Sequence, residues 1–271
     1  MMSLMKEYAC VFVVLTYKNI EDLEDFFKSF SLQNSKIIVV NSYYDKSTLE
    51  RFEQISKNNK ADFINVENKG YGFGNNVGIR YAREHYRFRY LVISNPDIII
   101  KRFDFNFIIQ DLRCIYAPKI LTLKGKDQNP YYYTYCKAIE YFKYLGNKYN
   151  NKILFYIPIT ANKIYRIVRV SINKLFKFEK EKIYAAHGSF LIIGREALDL
   201  LVPIYNEKMF LTCEEEHLAK LANSKKIKTF YVPNIIILHK EDGSMKMADF
   251  DTNQVIRESR SEYYRYWYNW D

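Results

Sequence analysis

The run YLVISNPDIII at residues 90–100 carries one carboxylate, Asp97, inside an otherwise apolar stretch. Asn-Pro-Asp can be no more than a turn, because proline fixes φ and Asn and Asp bond their own backbone. A hard divalent cation bridging two phosphates needs oxygen ligands, however, and the end of a parallel strand is where ligands bind, so a metal ligand is the preferred reading of Asp97. Glu214, Glu215 and Glu216 form a second acidic feature. Acids favour a helix N-terminus through its dipole; three adjacent ones also raise one another's pKa, which suits a general base acting on a hydroxyl. The loop NKGYGFGNN holds Gly70, Gly72 and Gly74, with Gly78 following. Its spacing is not that of the dinucleotide fingerprint, and it follows the third strand rather than the first. It reads either as a flexible turn or as a place of close backbone approach to a ligand, with an anion at the following helix N-terminus and Lys69 favouring a phosphate or nucleotide. His187 and His239 stand alone at strand ends. Either can be structural, but His239 ends the last strand on the same rim as Asp97, where a neutral imidazole completes a metal shell.

The elements that must position these residues alternate over the first hundred positions. CVFVVLTY (10–17), KIIVVN (36–41), ADFINVE (61–67) and YLVISNP (90–96) read as strands. Between them a helix begins at Asn19 with Leu23, Phe26, Phe27 and Phe30 on one face, a second runs to about residue 58, and VGIRYAREH forms a third. This pattern predicts an α/β fold with a mostly parallel buried sheet flanked by helices. Thr16, Asn41, Glu67 and Asn95 to Asp97 then gather along one rim, where ligands bind.

Beyond residue 120 the alternation fails. Residues 131–178 contain nine Lys or Arg against the single acid Glu140, so +8 of the chain's net +10 lies there. IYRIVRVSINKLF predicts a basic amphipathic helix with Ile164, Ile167, Val168 and Leu175 on one face and Lys163, Arg166, Arg169 and Lys174 toward others. Such a helix rests on an anionic membrane surface or packs on the domain. YAAHGSFLIIG (184–194) and KTFYVPNIIILHK (228–240) read as strands, REALDLL and EEEHLAKLANS as helices, and 241–271 as an aromatic tail. One domain over 1–271 with a basic, Tyr-rich helical insertion at about 125–183 is expected. The four cysteines form no close pair, so neither a zinc site nor a disulfide framework is indicated, and a reducing, cytoplasmic setting fits. No run approaches the roughly 18 apolar residues of a membrane span, and VFVVL reads as a first strand. No nucleic-acid module is visible, so nucleic acid is not an expected partner.

The ordered series VVLTYKN (13–19), IIVVNSYYDKS (37–47), NKGYGFGNNVGIRYA (68–82), LVISNPDI (91–98), APKIL (117–121), HGSFLIIGREAL (187–198), FLTCEEEHL (210–218) and VPNIIILH (232–239) resembles the inverting family-2 glycosyltransferases of the GT-A fold, a Rossmann-like architecture. The likeness is strongest to the bacterial rhamnosyltransferase-like branch of surface polysaccharide assembly. The resemblance implies that Thr16, Tyr17, Asn41 and Asp45 line the nucleotide pocket, and that Lys69, Gly70, Asn75 and Asn76 face the sugar-diphosphate. Asn95-Pro96-Asp97 stands where relatives carry Asp-x-Asp, so Asn95 borders the donor and Asp97 holds Mg²⁺ or Mn²⁺, with His239 beside the metal. His187, Gly188 and Ser189 shape the sugar and acceptor pocket. Glu215 is the implied catalytic base, with Glu214 beside the donor as its rival. The implied donor is a dTDP- or UDP-sugar and the acceptor a glycan, lipid-linked at the inner face of the cell membrane. Asn41 and Glu215 replace the family's Asp, and His217 replaces a second acid. A non-catalytic nucleotide-sugar-binding or scaffold relative is the alternative.

Overall fold

The computed structural model describes residues 7–103, 111–176, 179–241 and 251–270, with the backbone alone for 170–176. Strands β1 (Glu7–Thr16), β2 (Ser35–Ser42), β3 (Asp62–Val66) and β4 (Arg87–Ser94) alternate with helices α1 (Ile20–Ser29), α2 (Lys46–Asn58) and α3 (Tyr71–His85). Then follow β5 (Ile98–Arg102), β6 (Cys114–Thr122), α4 (Lys137–Lys148), α5 (Lys152–Phe176), β7 (Glu181–Ile183), β8 (Phe190–Gly194), α6 (Arg195–Leu201), α7 (Glu214–Ser224), β9 (Lys228–His239) and α8 (Thr252–Tyr268). The strands form one sheet in the order β3-β2-β1-β4-β8-β6-β9-β5, with β7 also pairing β9.

The first strands are apolar throughout because both faces of the sheet are covered. Successive residues point to opposite faces. Val11 and Val13 join Ile38, Val40, Ile79 and Leu198 on one side, while Phe12 and Val14 join Val39, Leu23, Phe26 and Phe52 on the other. Pairing is parallel from β3 through β4 and between β6 and β9, but β8 runs antiparallel to both β4 and β6, and β5 and β7 run antiparallel to β9. The sheet is thus mixed, and its parallel part is the segment where helices alternate regularly with strands.

Three further expectations change. Residues 184–189 are not strand, since only Phe190–Gly194 pairs with β4. The aromatic C-terminal segment holds a helix, α8, whose Tyr263 and Tyr264 pack with Tyr144, Met209 and Cys213 in a small separate core. The basic helix is present, and of the two placements expected for it, packing of its apolar face on the domain is the one the structure does not have. Ile164, Ile167 and Val168 are 60, 58 and 51% exposed, whereas Arg166 donates to the carbonyls of Asp127 and Asn129 and Arg169 to Glu181. The side chains of Lys174 and Leu175, and Lys177 entirely, lie outside the described residues.

Candidate active site

Strand register brings Asp97 and His239 together. In the antiparallel β5–β9 pair Ile98 lies opposite His239, and Lys240 donates its backbone N–H to the Asp97 carbonyl at 3.0 Å. His239 Nε2 then stands 3.1 Å from Asp97 Oδ2. Both groups are buried, yet neither Asp97 oxygen has a hydrogen-bond partner among the described residues, so this is a close approach without hydrogen-bond geometry. His239 Nδ1 lies 2.7 Å from Gln128 Oε1, and the Gln128 amide is oriented by its own donation to Glu241 Oε1 at 2.9 Å. Nδ1 therefore carries a proton toward Gln128, and Nε2 is the nitrogen turned toward the carboxylate. A buried carboxylate without a hydrogen-bond partner among the described residues, with an imidazole nitrogen 3.1 Å away, is a pair of oxygen and nitrogen ligands that a divalent cation could bind.

The neighbouring rim carries the second carboxylate. Asn95 N–H donates to Ser189 O at 2.9 Å, which ties the end of β4 to the His187-Gly188-Ser189 turn. His187 is 5.6 Å from His239, ring to ring, and burial aided by the His239 charge holds its pKa down near 3. Ser189 N–H donates to its Nδ1 at 3.2 Å, so the ring is a neutral acceptor there. Gly188 N–H donates to Glu215 Oε1 at 3.2 Å. A Cβ on Gly188 would sit 3.0 Å from the same oxygen, so glycine is what lets the carboxylate approach. Glu215 is the second residue of α7, which starts directly after two non-glycine residues in the left-handed region, Thr212 at φ 78° and Cys213 at φ 69°. For a β-branched threonine that conformation is strained, the kind of cost that persists where the surroundings hold it in place.

The three glutamates are not equivalent. Glu215 is half-buried, and burial together with the charge of Glu216 pushes its pKa up to about 7. Glu214 is fully buried with Oε1 unpartnered, and burial reinforced by Glu215 holds its pKa well above the carboxylate range. Glu216 is paired with Lys143 of α4 at 3.1 Å, and Lys143 also reaches Glu140 at 3.3 Å. Burial opposes charge on Lys143, but the two carboxylates outweigh it and raise its pKa. His217 accepts from Trp267 Nε1 at 3.0 Å and serves as an anchor for α8.

On the nucleotide side, Thr16, Asn41 and Asn65 form a polar chain across the ends of β1, β2 and β3: Thr16 Oγ1 donates to Asn41 Oδ1 at 3.4 Å, and Asn41 Nδ2 to Asn65 Oδ1 at 2.8 Å. Tyr17 and Tyr44 meet edge-on at 6.0 Å, with Lys18 Nζ 3.8 Å above the Tyr44 ring. Asp45 caps α2 by accepting from Thr48 N at 2.7 Å. Lys69 is exposed and pairs with Glu67 at 3.0 Å.

The glycine-rich loop departs from the expected ligand cradle. Gly70, at φ 100°, has the Phe210 carbonyl where a Cβ would be, at 2.3 Å, and Gly72, Gly74 and Gly78 press α3 onto Tyr205, Leu15 and Val13. The close approach is to the protein's own chain. Asn76 likewise points inward, donating to Tyr205 O at 2.9 Å, while Asn75 is buried with Oδ1 unpartnered. Sequence reasoning missed Tyr71, whose hydroxyl lies 3.2 Å from Asn95 Oδ1 and 3.0 Å from Gly188 O, and so joins the two halves of the rim. It also missed Gln128, Asn129 and Lys143, which sit where the strand–helix alternation had ended. Asn129 Oδ1 accepts from His187 N–H at 2.8 Å.

Compared with protein families and with curated proteins, the sequence matches none. Its fold does match solved structures. GalNAc-T7, solved with UDP, GalNAc and Mn²⁺, superposes with a TM-score of 0.57 at 13% identity over 86% of this chain and 44% of that one. TarS of S. aureus, as residues 1–349, gives 0.52 at 11% identity over 96% of this chain and 73% of that one. The longer TarS structure gives 0.52 at 12%, with 44% of its length covered. This chain thus spans less than half the length of two of these neighbours. They are GT-A glycosyltransferases, and this chain has their fold.

Proposed function

We propose that the protein is a metal-dependent glycosyltransferase that moves a sugar from a nucleoside-diphosphate donor to a hydroxyl of a glycan acceptor, with inversion. The observation that carries this reading is the orphaned Asp97 carboxylate facing His239 Nε2 at 3.1 Å. Asp97 and His239 would hold Mg²⁺ or Mn²⁺, which supplies charge stabilisation to a departing diphosphate. The fold neighbour solved with UDP and Mn²⁺ supports this choice of donor and ion. The tyrosines at 17 and 44 offer faces for a base, and the Thr16–Asn41 chain offers polar contacts for the ribose. Glu215, with a pKa near 7, accepts the proton of the attacking acceptor hydroxyl. Its neighbour Glu214, kept protonated by burial, is not the base but keeps a second negative charge away from it. The order of motifs supports the family-2, rhamnosyltransferase-like branch, with a dTDP- or UDP-sugar donor and a lipid-linked glycan acceptor at the inner face of the cell membrane. No helix among the described residues is long and apolar enough to cross a membrane, so such an acceptor would be met at the bilayer surface.

The test is diphosphate release from a panel of nucleotide sugars with Mn²⁺ or Mg²⁺, with and without glycan acceptors. Metal-dependent release from at least one donor is expected. Donor binding without release under any condition would favour the non-catalytic relative, and no donor binding at all would end the reading.

A further inference from the structure

We propose that the outward face of α5, with the cationic cleft beside its first turns, is a docking surface for an anionic lipid bilayer. The helix is amphipathic with its apolar side outward. Ile153, Tyr156, Ile157, Ile164, Ile167 and Val168 recur at helical spacing and are 51–72% exposed. Single exposed apolar residues need no explanation, but a stripe of six along one helix marks a partner. The opposite side of α5 buries Pro158 and uses its two arginines against the domain, Arg166 on backbone carbonyls and Arg169 on Glu181. The helix is therefore fixed with its greasy side to solvent.

Charge identifies the occupant. A cleft of about 1130 Å³ between the α4–α5 turn and α8 is lined by Lys148, Lys152, Arg257, Arg260 and Arg265 against Asp251 and Glu258. Arg265 is paired with Glu262, but Arg260 lies 4.2 Å above the Phe155 ring, a contact that leaves its charge unneutralised. Tyr156 belongs to both the stripe and the cleft lining, so the two features are continuous. Headgroup phosphates in the cleft and acyl chains under the stripe satisfy both at once, with the helix lying in the interface plane. A second copy of the chain would bring its own net charge of +10 and its own cationic cleft toward this one, which disfavours it as the occupant. The inference goes beyond the transferase reading, because membrane binding is read without donor or acceptor.

The experiment is co-sedimentation of the full chain with vesicles of phosphatidylcholine alone and of phosphatidylcholine with phosphatidylglycerol. Binding is expected only with phosphatidylglycerol and weakens as salt rises. Ile157→Glu with Ile164→Glu should cut it by about tenfold per position, the worth of one withdrawn aliphatic side chain. Lys152→Gln with Arg257→Gln should also cut it. Ile157 and Ile164 are more than half exposed, so an unchanged melting temperature in the first variant checks its fold. Equal binding to both vesicles, binding to neither, or wild-type binding by the isoleucine variant overturns the proposal. A dimer in sedimentation velocity that the same variant abolishes, without vesicle binding, makes a second copy the occupant and overturns it as well.

Discussion

Glu214 and Glu215 are chemically identical neighbours whose surroundings set them to different tasks. Gly188 N–H and partial exposure leave Glu215 able to ionise near pH 7, whereas Glu214 is sealed without a partner for Oε1. Glu215→Gln should keep metal-dependent donor binding and lose transfer by about a hundredfold or more, as expected for a lost general base. Glu214→Gln should cost far less, and a reversed order of losses in steady-state assays would transfer the role of base to Glu214. The base works ionised, so the rate in the parent should climb as pH rises through about 7 and level off above it. Asp97→Ala belongs with these tests. It removes the orphaned carboxylate and should abolish metal-dependent donor binding in a metal titration while leaving the melting transition in place. Undiminished binding would return Asp97 to the status of a turn residue.

Helix α4 carries Lys143 into the protein and places it between Glu140 and Glu216. Lys143→Met would leave two buried carboxylates uncompensated, at a cost of about 3–5 kcal/mol in denaturant unfolding. The triple replacement of Lys143, Glu140 and Glu216 by apolar residues should recover much of that loss, and failure to recover it would mean that the triad does more than balance charge. Nothing in the spacing of Lys143 announced this contact, because its partner Glu216 lies 73 residues away. The alternating elements β1 to β4 were legible for a physical reason: strands covered on both faces are continuously apolar, and the helices between them have one apolar stripe. Strands β5 and β7, of 5 and 3 residues, were not, since each depends on β9 for pairing rather than on its own pattern. Periodicity revealed the amphipathic helix at 164–175 but not which side faces inward, because period alone does not say whether arginine or isoleucine finds the partner. The site divides the same way. Asp97, His239 and Glu215 end or begin regular elements and could be read, whereas Gln128 and Tyr71 act through contacts that only the folded chain creates.

Across the whole molecule, buried groups of opposite sign shape the dependence of stability on pH. His187 and His217 have folded pKa values near 3 and 4, below the ordinary histidine value of 6.5, because burial disfavours their charge. Below pH 6.5 the unfolded chain takes up protons that the folded chain refuses, so stability from this source is present above 6.5 and is lost as pH falls toward 4. The buried glutamates act in the opposite direction. Glu215 ionises near 7 when folded but near 4.5 when unfolded, and Glu140 and Glu214 are also raised, so folded chains hold protons that unfolded ones release. Their contribution declines as pH rises from 4.5 toward 7 and stays low above it. Between about pH 4.5 and 6.5 the two slopes oppose one another, and the parent should show a nearly flat melting temperature there. Glu214→Gln removes part of the descending slope. It should melt higher than the parent at pH 8 and about equally at pH 4, so that its profile rises with pH where that of the parent is flat. Scanning calorimetry of the two proteins across that range measures it directly, and parallel profiles would mean that Glu214 ionises when folded much as it does when unfolded.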